Sequence, residues 1–172
     1  FEEGHFLLTD PISKYLPEFS NMQVYIGQEN GNIQTEPADP ITIQQLLLHT
    51  SGLTYDFFQN PVAKMYVNNG VVSSPHQSGS LEGGMKAGTS SELSIDQWTK
   101  LVADLPLVAQ PGTEWNYSIG MDVLGRLVEV ISGKSFSDFL SERIFKPLGM
   151  VDTGFHVPNE KLSRFAANYV PT

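Results

Sequence analysis

The sequence has no cysteine, few basic residues and no long apolar run. Without cysteine, disulfides, zinc–thiolate sites and a cysteine nucleophile are excluded. Ten Lys and Arg residues stand against nineteen Asp and Glu residues, which gives a formal net charge of −9. No nucleic-acid partner is expected, because such partners require clustered basic side chains. No membrane span is expected either, because no stretch approaches the roughly 20 apolar residues that a spanning helix needs.

Histidines are also scarce, and none stands in a spacing typical of metal sites such as H-E-x-x-H. We therefore expect no metal and no cofactor, and we interpret the histidines as structural or surface residues. The four histidines are His5, His49, His76 and His156.

What remains is the composition of a globular protein, with 172 residues and 40% hydrophobic content. That length corresponds to about one domain. The first residues, Phe1-Glu2-Glu3-Gly4, lack both an initiator Met and the basic start of a signal peptide. A mature domain seldom begins in this way. We therefore expect the chain to be a piece of a longer protein.

Two capping boxes mark the clearest helix starts. Thr42 is followed three residues later by Gln45, and Ser94 by Gln97, so that each pair can satisfy two backbone N–H groups at a helix N-terminus. In the first helix we expect an apolar body, and Gly52 is placed to end it. That body is Leu46, Leu47 and Leu48. The second helix carries an apolar face that runs from Ile95 to Leu105.

Two further helices are predicted in the second half of the chain. The third follows Tyr117 and ends at Gly133, and the fourth begins at Ser135 with Asp138 completing its cap. The fourth is expected to bury Phe136, Phe139, Leu140 and Ile144. A short strand is predicted over 22–26 and a polar loop over 28–39, so the fold class is mainly α with few short strands.

The long segment 60–91 shows no clear periodicity and is interrupted by glycines and serines. A loop of this length in a compact domain is usually functional or mobile. We interpret it as a flexible excursion over the site, such as a lid, with plain disorder as the alternative.

Three segments carry a resemblance to a known family. They read ITIQQLLLHTSGL at 41–53, PGTEWNYS at 111–118 with DVLG and LVE after it, and RIFKPLGM at 143–150 followed by Asp152-Thr153. In this order they resemble the β-lactamase-related serine hydrolases, which include the class C β-lactamases and the penicillin-binding proteins. The similarity is nearest to the branch called family VIII carboxylesterases.

The resemblance implies that residues 1–172 are the helical portion of one β-lactamase-like domain, whose site lies between a helical lobe and an α/β lobe. Members carry an S-x-x-K nucleophile motif, a Tyr motif and a K-T-G-like strand motif. Only the Tyr motif, Tyr117-Ser118-Ile119, is found here. By this resemblance Tyr117 is the general base, the missing α/β lobe of the same protein is a partner, and this chain alone is inactive.

The third position of the Tyr motif bears on substrate class. Class C β-lactamases usually have Asn there, and here a hydrocarbon, Ile119, replaces the amide that could contact a lactam carbonyl. Ester hydrolysis is therefore favoured over lactam hydrolysis. Ser118 and Ile119 are candidate substrate contacts, with helix capping as the alternative for Ser118. The family also implies a cleft wall formed by Tyr55, Asp56, Phe57 and Phe58.

Plainer interpretations stand beside these. Tyr117 could simply pack its ring and bond its hydroxyl, and residues 55–58 could belong to the core. Trp115 is predicted to be a core anchor. Ser51 lies near His49 in the sequence, but adjacent residues on a helix end do not face each other as nucleophile and base must.

The function predicted first is an acyl-enzyme serine hydrolase acting on small carboxylic esters, with β-lactams as a second class. A free tyrosine has a pKa near 10, so such a base needs nearby cations, which the family supplies from the lysines of its other motifs. The alternatives are a non-catalytic binding module that keeps the cleft wall and a D-amino-acid peptidase of the same superfamily.

Overall fold

A computed structural model describes residues 1–72 and 93–167 of the chain. Within them lie two strands and five α-helices, so the mainly α architecture agrees with the sequence-based prediction. Short 3₁₀ turns precede the strands and occur again near the C-terminal end. The elements are β1 (Gln23–Glu29), β2 (Asn32–Pro37), α1 (Ile43–Leu47), α2 (Pro61–Asn68), α3 (Ile95–Ala103), α4 (Gly120–Ser132) and α5 (Phe136–Leu140).

The strands β1 and β2 form an antiparallel hairpin. The short strand predicted over 22–26 is present. The loop predicted over 28–39 is wrong, because its first two residues belong to β1 and six more form β2. Asn30 and Gly31, both at positive φ, make the tight turn that such hairpins favour. All six residues of β2 are exposed. A strand that buries neither face needs no alternation of polar and apolar side chains, so the sequence pattern did not indicate it.

Helix α1 has the predicted capping box. The Thr42 hydroxyl accepts a hydrogen bond from the Gln45 N–H, and the Gln45 side chain accepts one from the Thr42 N–H. The predicted apolar body is only partly correct, since Leu46 is buried whereas Leu47 and Leu48 are exposed. The helix also ends earlier than predicted, because His49 takes the left-handed conformation three residues before Gly52.

The first part of the predicted loop 60–91 forms helix α2, so that part of the prediction is wrong. The Asn60 side chain caps the helix by accepting from the Ala63 N–H at 2.7 Å, and Pro61 occupies the first turn. Val62 and Tyr66 are buried on one face. The helix has only eight residues, too few for its apolar period to stand out. The rest of the segment predicted as a lid, residues 73–91, lies outside the described residues.

Helices α3 and α4 agree with the predictions. Ser94 and Gln97 form the second capping box, and Gly133 ends α4 in the left-handed conformation. Both helices pack on one central cluster, which also includes the start of the chain, β1 and the segment after α3. Its fully buried larger side chains include Ile12, Leu16, Ile41, Ile43, Leu46, Leu53, Tyr66, Val102, Leu107 and Leu127.

Helix α5 begins at the predicted cap, where the Ser135 hydroxyl accepts from the Asp138 N–H. A π-helical turn, Ser141–Phe145, continues it. The predicted burial of its apolar face is wrong: Phe136, Phe139 and Leu140 are only partly covered, and Ile144 is exposed. Phe136 lies beside Gly125 of α4 and its ring centroid is 5.7 Å from that of Phe155, but these contacts cover only part of the face. Further apolar side chains after it are also exposed, namely Leu148, Val151, Phe155, Leu162 and Phe165.

Candidate active site

Tyr117 lies just before helix α4, in the turn that follows the Pro111-Gly112 pair. The residue is 46% exposed, so Tyr117 is not part of the buried core. The residue after the turn is Ile119, which serves as the N-cap position of α4 without a side-chain cap. The polypeptide therefore presents Tyr117 at the surface on a short, helix-anchored turn.

Aromatic rings surround Tyr117 on several sides. Its ring centroid lies 4.8 Å from that of His49, 5.1 Å from Tyr55 and 6.4 Å from Trp115. Tyr55 stacks on Phe57 at 4.9 Å, and Phe57 contacts Phe58 at 4.8 Å. The structure thus brings Tyr117 together with the segment 55–58, which is about 60 residues away in the sequence.

An open cavity of about 340 Å³ adjoins this ring cluster. Both aromatic and polar side chains line it, so it offers apolar contact together with a few hydrogen-bonding groups. Its lining residues are Thr54, Phe58, Gln59, Asn60, Trp115, Asn116 and Tyr117. The Asn60 amide donates to the Thr54 hydroxyl at 3.1 Å, which fixes one part of the wall.

Ser118 and Ile119 point away from this surface. Ser118 is fully buried and its hydroxyl lies 3.3 Å from Nδ1 of His49, while Ile119 is 2% exposed and belongs to the central cluster. Their role as substrate contacts stays a prediction, and this burial favours the structural alternative. For Ser51, fully buried, the Oγ accepts from the Leu53 N–H, in keeping with a structural role.

The remaining wall residues differ in burial. Phe57 and Phe58 are exposed, whereas Asp56 is buried. Burial raises the pKa of Tyr55 to about 12, and the carboxylate of Asp122 and the Tyr117 hydroxyl add to the rise. Tyr55 is therefore a neutral hydrogen-bonding group beside Tyr117 rather than a source of negative charge.

For two residues of the site, the structure differs from the interpretation made from the sequence. Trp115 was predicted as a core anchor, but it is 66% exposed and lines the cavity, so that prediction is wrong. His49 was interpreted as structural or surface, and it in fact contacts Tyr117, Trp115 and Ser118. The HTSGL segment singled out His49, but a contact across 69 positions leaves no periodic signal in one sequence.

No group of three or more acidic or histidine side chains that could hold a metal ion occurs in residues 1–72 and 93–167. None of the helices in that same part of the chain is both long and apolar enough to cross a membrane. His76 lies outside the described residues.

The chain is similar to several known proteins. An uncharacterized protein of Mycobacterium tuberculosis is 34% identical, over 98% of this chain and 37% of that protein. Lovastatin esterase of Penicillium rubens is 31% identical, over 90% of this chain and 35% of the esterase. The structure of EstCE1, described as a hydrolase with promiscuous acyltransferase activity, superposes with a TM-score of 0.66 at 29% identity. That match covers 93% of this chain and 36% of EstCE1.

Two conclusions follow from these matches. The chain spans little more than a third of the length of its relatives, so it corresponds to the helical part of their fold. The family model named Beta-lactamase matches residues 1–172. The chain belongs to the Beta-lactamase family.

Proposed function

We propose that this chain is the Tyr-bearing part of a serine hydrolase that cleaves small carboxylic esters through an acyl-enzyme. The observation that supports it most is an exposed Tyr117 at the edge of an aromatic-lined cavity. A tyrosine in this position can contact a molecule bound in the cavity. The esterase and hydrolase relatives make ester substrates the first choice.

The chemistry assigns Tyr117 the proton transfers. The phenolate form of Tyr117 takes the proton of a serine hydroxyl, and the serine oxygen bonds to the acyl carbon. The alcohol then leaves with that proton from Tyr117, which restores the phenolate. A water then attacks the acyl-enzyme, giving one proton to Tyr117, which returns it to the serine oxygen. No serine in this sequence has lysine three places on, so the nucleophile has to come from the remaining sequence of the protein.

The cavity suggests which esters fit. Rings of Phe58 and Trp115 supply apolar contact, whereas Asn116 and Gln59 add polar groups to the lining. A molecule with an apolar acyl or alcohol group and a few polar atoms suits this mixture. β-Lactams remain a second substrate class within the same proposal.

The direct test is Tyr117→Phe in the whole enzyme that contains this chain, because phenylalanine keeps the ring and removes only the hydroxyl. We expect kcat for ester hydrolysis to fall by about 10²–10⁴-fold, the usual effect of removing a general acid–base group. Tyr25→Phe, on strand β1 and away from the cavity, is the matched control and should retain wild-type kcat. Undiminished hydrolysis by the Tyr117→Phe enzyme would overturn the proposal.

A second test uses the 172-residue chain alone. After treatment with a fluorophosphonate serine probe, we expect its intact mass to be unchanged, whereas the whole enzyme should gain one adduct. A single stoichiometric adduct on the chain alone would place the nucleophile within these residues and contradict the proposed mechanism. A whole enzyme without any adduct would support the alternative of a non-catalytic binding module.

A further inference from the structure

His49 has an unusual backbone conformation. Its φ is 57°, one of two positive values among the described non-glycine residues. A left-handed conformation is unfavourable for a residue with a Cβ, so the surrounding structure has to hold it in place. The conformation turns the chain sharply after α1 and directs both the carbonyl and the ring of His49 toward the turn that carries Tyr117.

Two sets of hydrogen bonds connect His49 to that turn. The His49 carbonyl accepts from the Asn116 N–H at 2.8 Å. Nδ1 of the ring accepts from the Ser118 N–H at 3.3 Å, and the Ser118 hydroxyl lies at the same distance. Asn116 and Ser118, the residues immediately before and after Tyr117, therefore both donate hydrogen bonds to His49, although neither bond involves Tyr117 itself.

The imidazole ring also restricts the Tyr117 side chain directly. The two rings lie 4.8 Å apart at 58°, and the His49 ring meets Trp115 edge-on at 6.2 Å. The backbone on both sides of Tyr117 and one side of its ring are thus held by the same residue, His49. A base that transfers protons over hydrogen-bonding distances loses rate when its oxygen is displaced, since an error of about 1 Å is costly.

We propose that His49 is a positioning residue that holds the Tyr117 hydroxyl in register with the nucleophile. This inference rests on the proposed function of Tyr117. It assigns His49 no proton transfer of its own, because its Nδ1 accepts from the Ser118 N–H and its ring packs against the Tyr117 ring. The role needs an acceptor at the δ position and a residue that tolerates positive φ.

Two substitutions in the whole enzyme separate these requirements. His49→Ala removes the acceptor and the ring, whereas His49→Asn places Oδ1 near the position of Nδ1 and tolerates positive φ. The concentration of active sites is measured by titration with a fluorophosphonate probe, and kcat is calculated from that concentration. We expect His49→Ala to lower kcat about 10–100-fold with KM changed less than threefold. His49→Asn should recover most of the lost kcat. Leu48→Ala, the exposed neighbour, is the control and should match wild type.

The titration removes misfolded protein from the comparison, because only assembled sites react with the probe. A wild-type kcat in titrated His49→Ala enzyme would refute the positioning role, and so would an equal loss in the Ala and Asn variants. If Tyr117→Phe instead kept full activity, the proposed function would fail first.

Near-UV circular dichroism then tests the positioning without substrate. The aromatic signal should weaken in the His49→Ala variant and persist in the His49→Asn variant. An unchanged signal in the His49→Ala variant would refute the inference.

Discussion

At the scale of single residues, the most constrained position near the site is Gly52. Its φ is 81°, and its carbonyl accepts from the Val108 N–H at 2.8 Å. A Cβ added there would lie 2.2 Å from the carbonyl oxygen of Ala109. Glycine at this position therefore allows the close approach of two backbone segments, one of which continues toward Tyr117.

We expect Gly52→Ala to lower the free energy of unfolding by at least about 2 kcal/mol, because it combines an unfavourable φ with a backbone clash. Gly133→Ala is the matched control, since Gly133 has a φ of 67° but nothing within 4 Å of the added Cβ. The control should lose only about 1 kcal/mol. Chemical denaturation of the whole enzyme measures both, and equal losses would show that the contact with Ala109 is relieved at little cost.

At the scale of elements, the caps decide where helices begin. Both capping boxes and the Gly133 stop form as predicted, because these signals depend only on residues three or four positions apart. The elements that were not predicted have weaker local signals, namely the Asn30-Gly31 turn before β2 and the Asn60 cap with Pro61 before α2. Strand β2 is exposed along its whole length, and α2 is short and capped by one Asn.

The turn before α1 depends on one carboxylate. Asp10 accepts from the Leu7 N–H at 2.9 Å, from Lys14 at 2.9 Å and from the Tyr15 hydroxyl at 2.7 Å. These contacts, the Leu7 N–H first, lower the pKa of Asp10 to about 2. The Asp10 carbonyl also accepts from the Ile43 N–H, so the turn is tied to the start of α1.

Because the pKa of Asp10 is lower in the folded state, its carboxylate stabilises the fold above the unfolded value of about 3.9. That contribution is lost as the pH falls toward 2. We expect Asp10→Asn to reduce the melting temperature at pH 7, and the difference from wild type to shrink between pH 4 and pH 2. Thermal melts across this range measure it, with Asp104→Asn at an exposed position as control. A difference that stays constant with pH would contradict the assigned contacts.

At the scale of the whole molecule, the second half of the chain exposes more apolar surface than the sequence-based prediction of buried helix faces implied. Leu148 is 70% exposed and Val151 is 78% exposed, and Phe155 and Phe165 are each above 60%. Large exposed apolar areas mark surfaces that another part of a protein covers. Since the relatives are almost three times as long as this chain, we propose that their remaining sequence covers this surface.

We therefore expect the isolated 172-residue chain to bind the dye ANS and to self-associate as its concentration rises. Replacing Leu148 and Val151 by serine should reduce both effects, because it removes exposed apolar surface. Both side chains are largely exposed, so the replacements should not disturb the core. Ile33→Ser on strand β2 is the control for an exposed apolar residue outside this region. Dye fluorescence and sedimentation velocity measure the outcome. A monomeric chain with no dye binding would show that residues 148–165 need no cover.

The sequence by itself determined the starts of α1, α3, α4 and α5, the family and the position of Tyr117, because caps and motifs are local patterns. The tertiary structure decided which side chains surround Tyr117. His49 reaches it only because α1 and the turn before α4 pack together, and packing across 68 positions leaves no trace in local periodicity. Burial was decided in the same way: the apolar face of α5 is regular in sequence, yet within the described residues no element lies against enough of it to bury it.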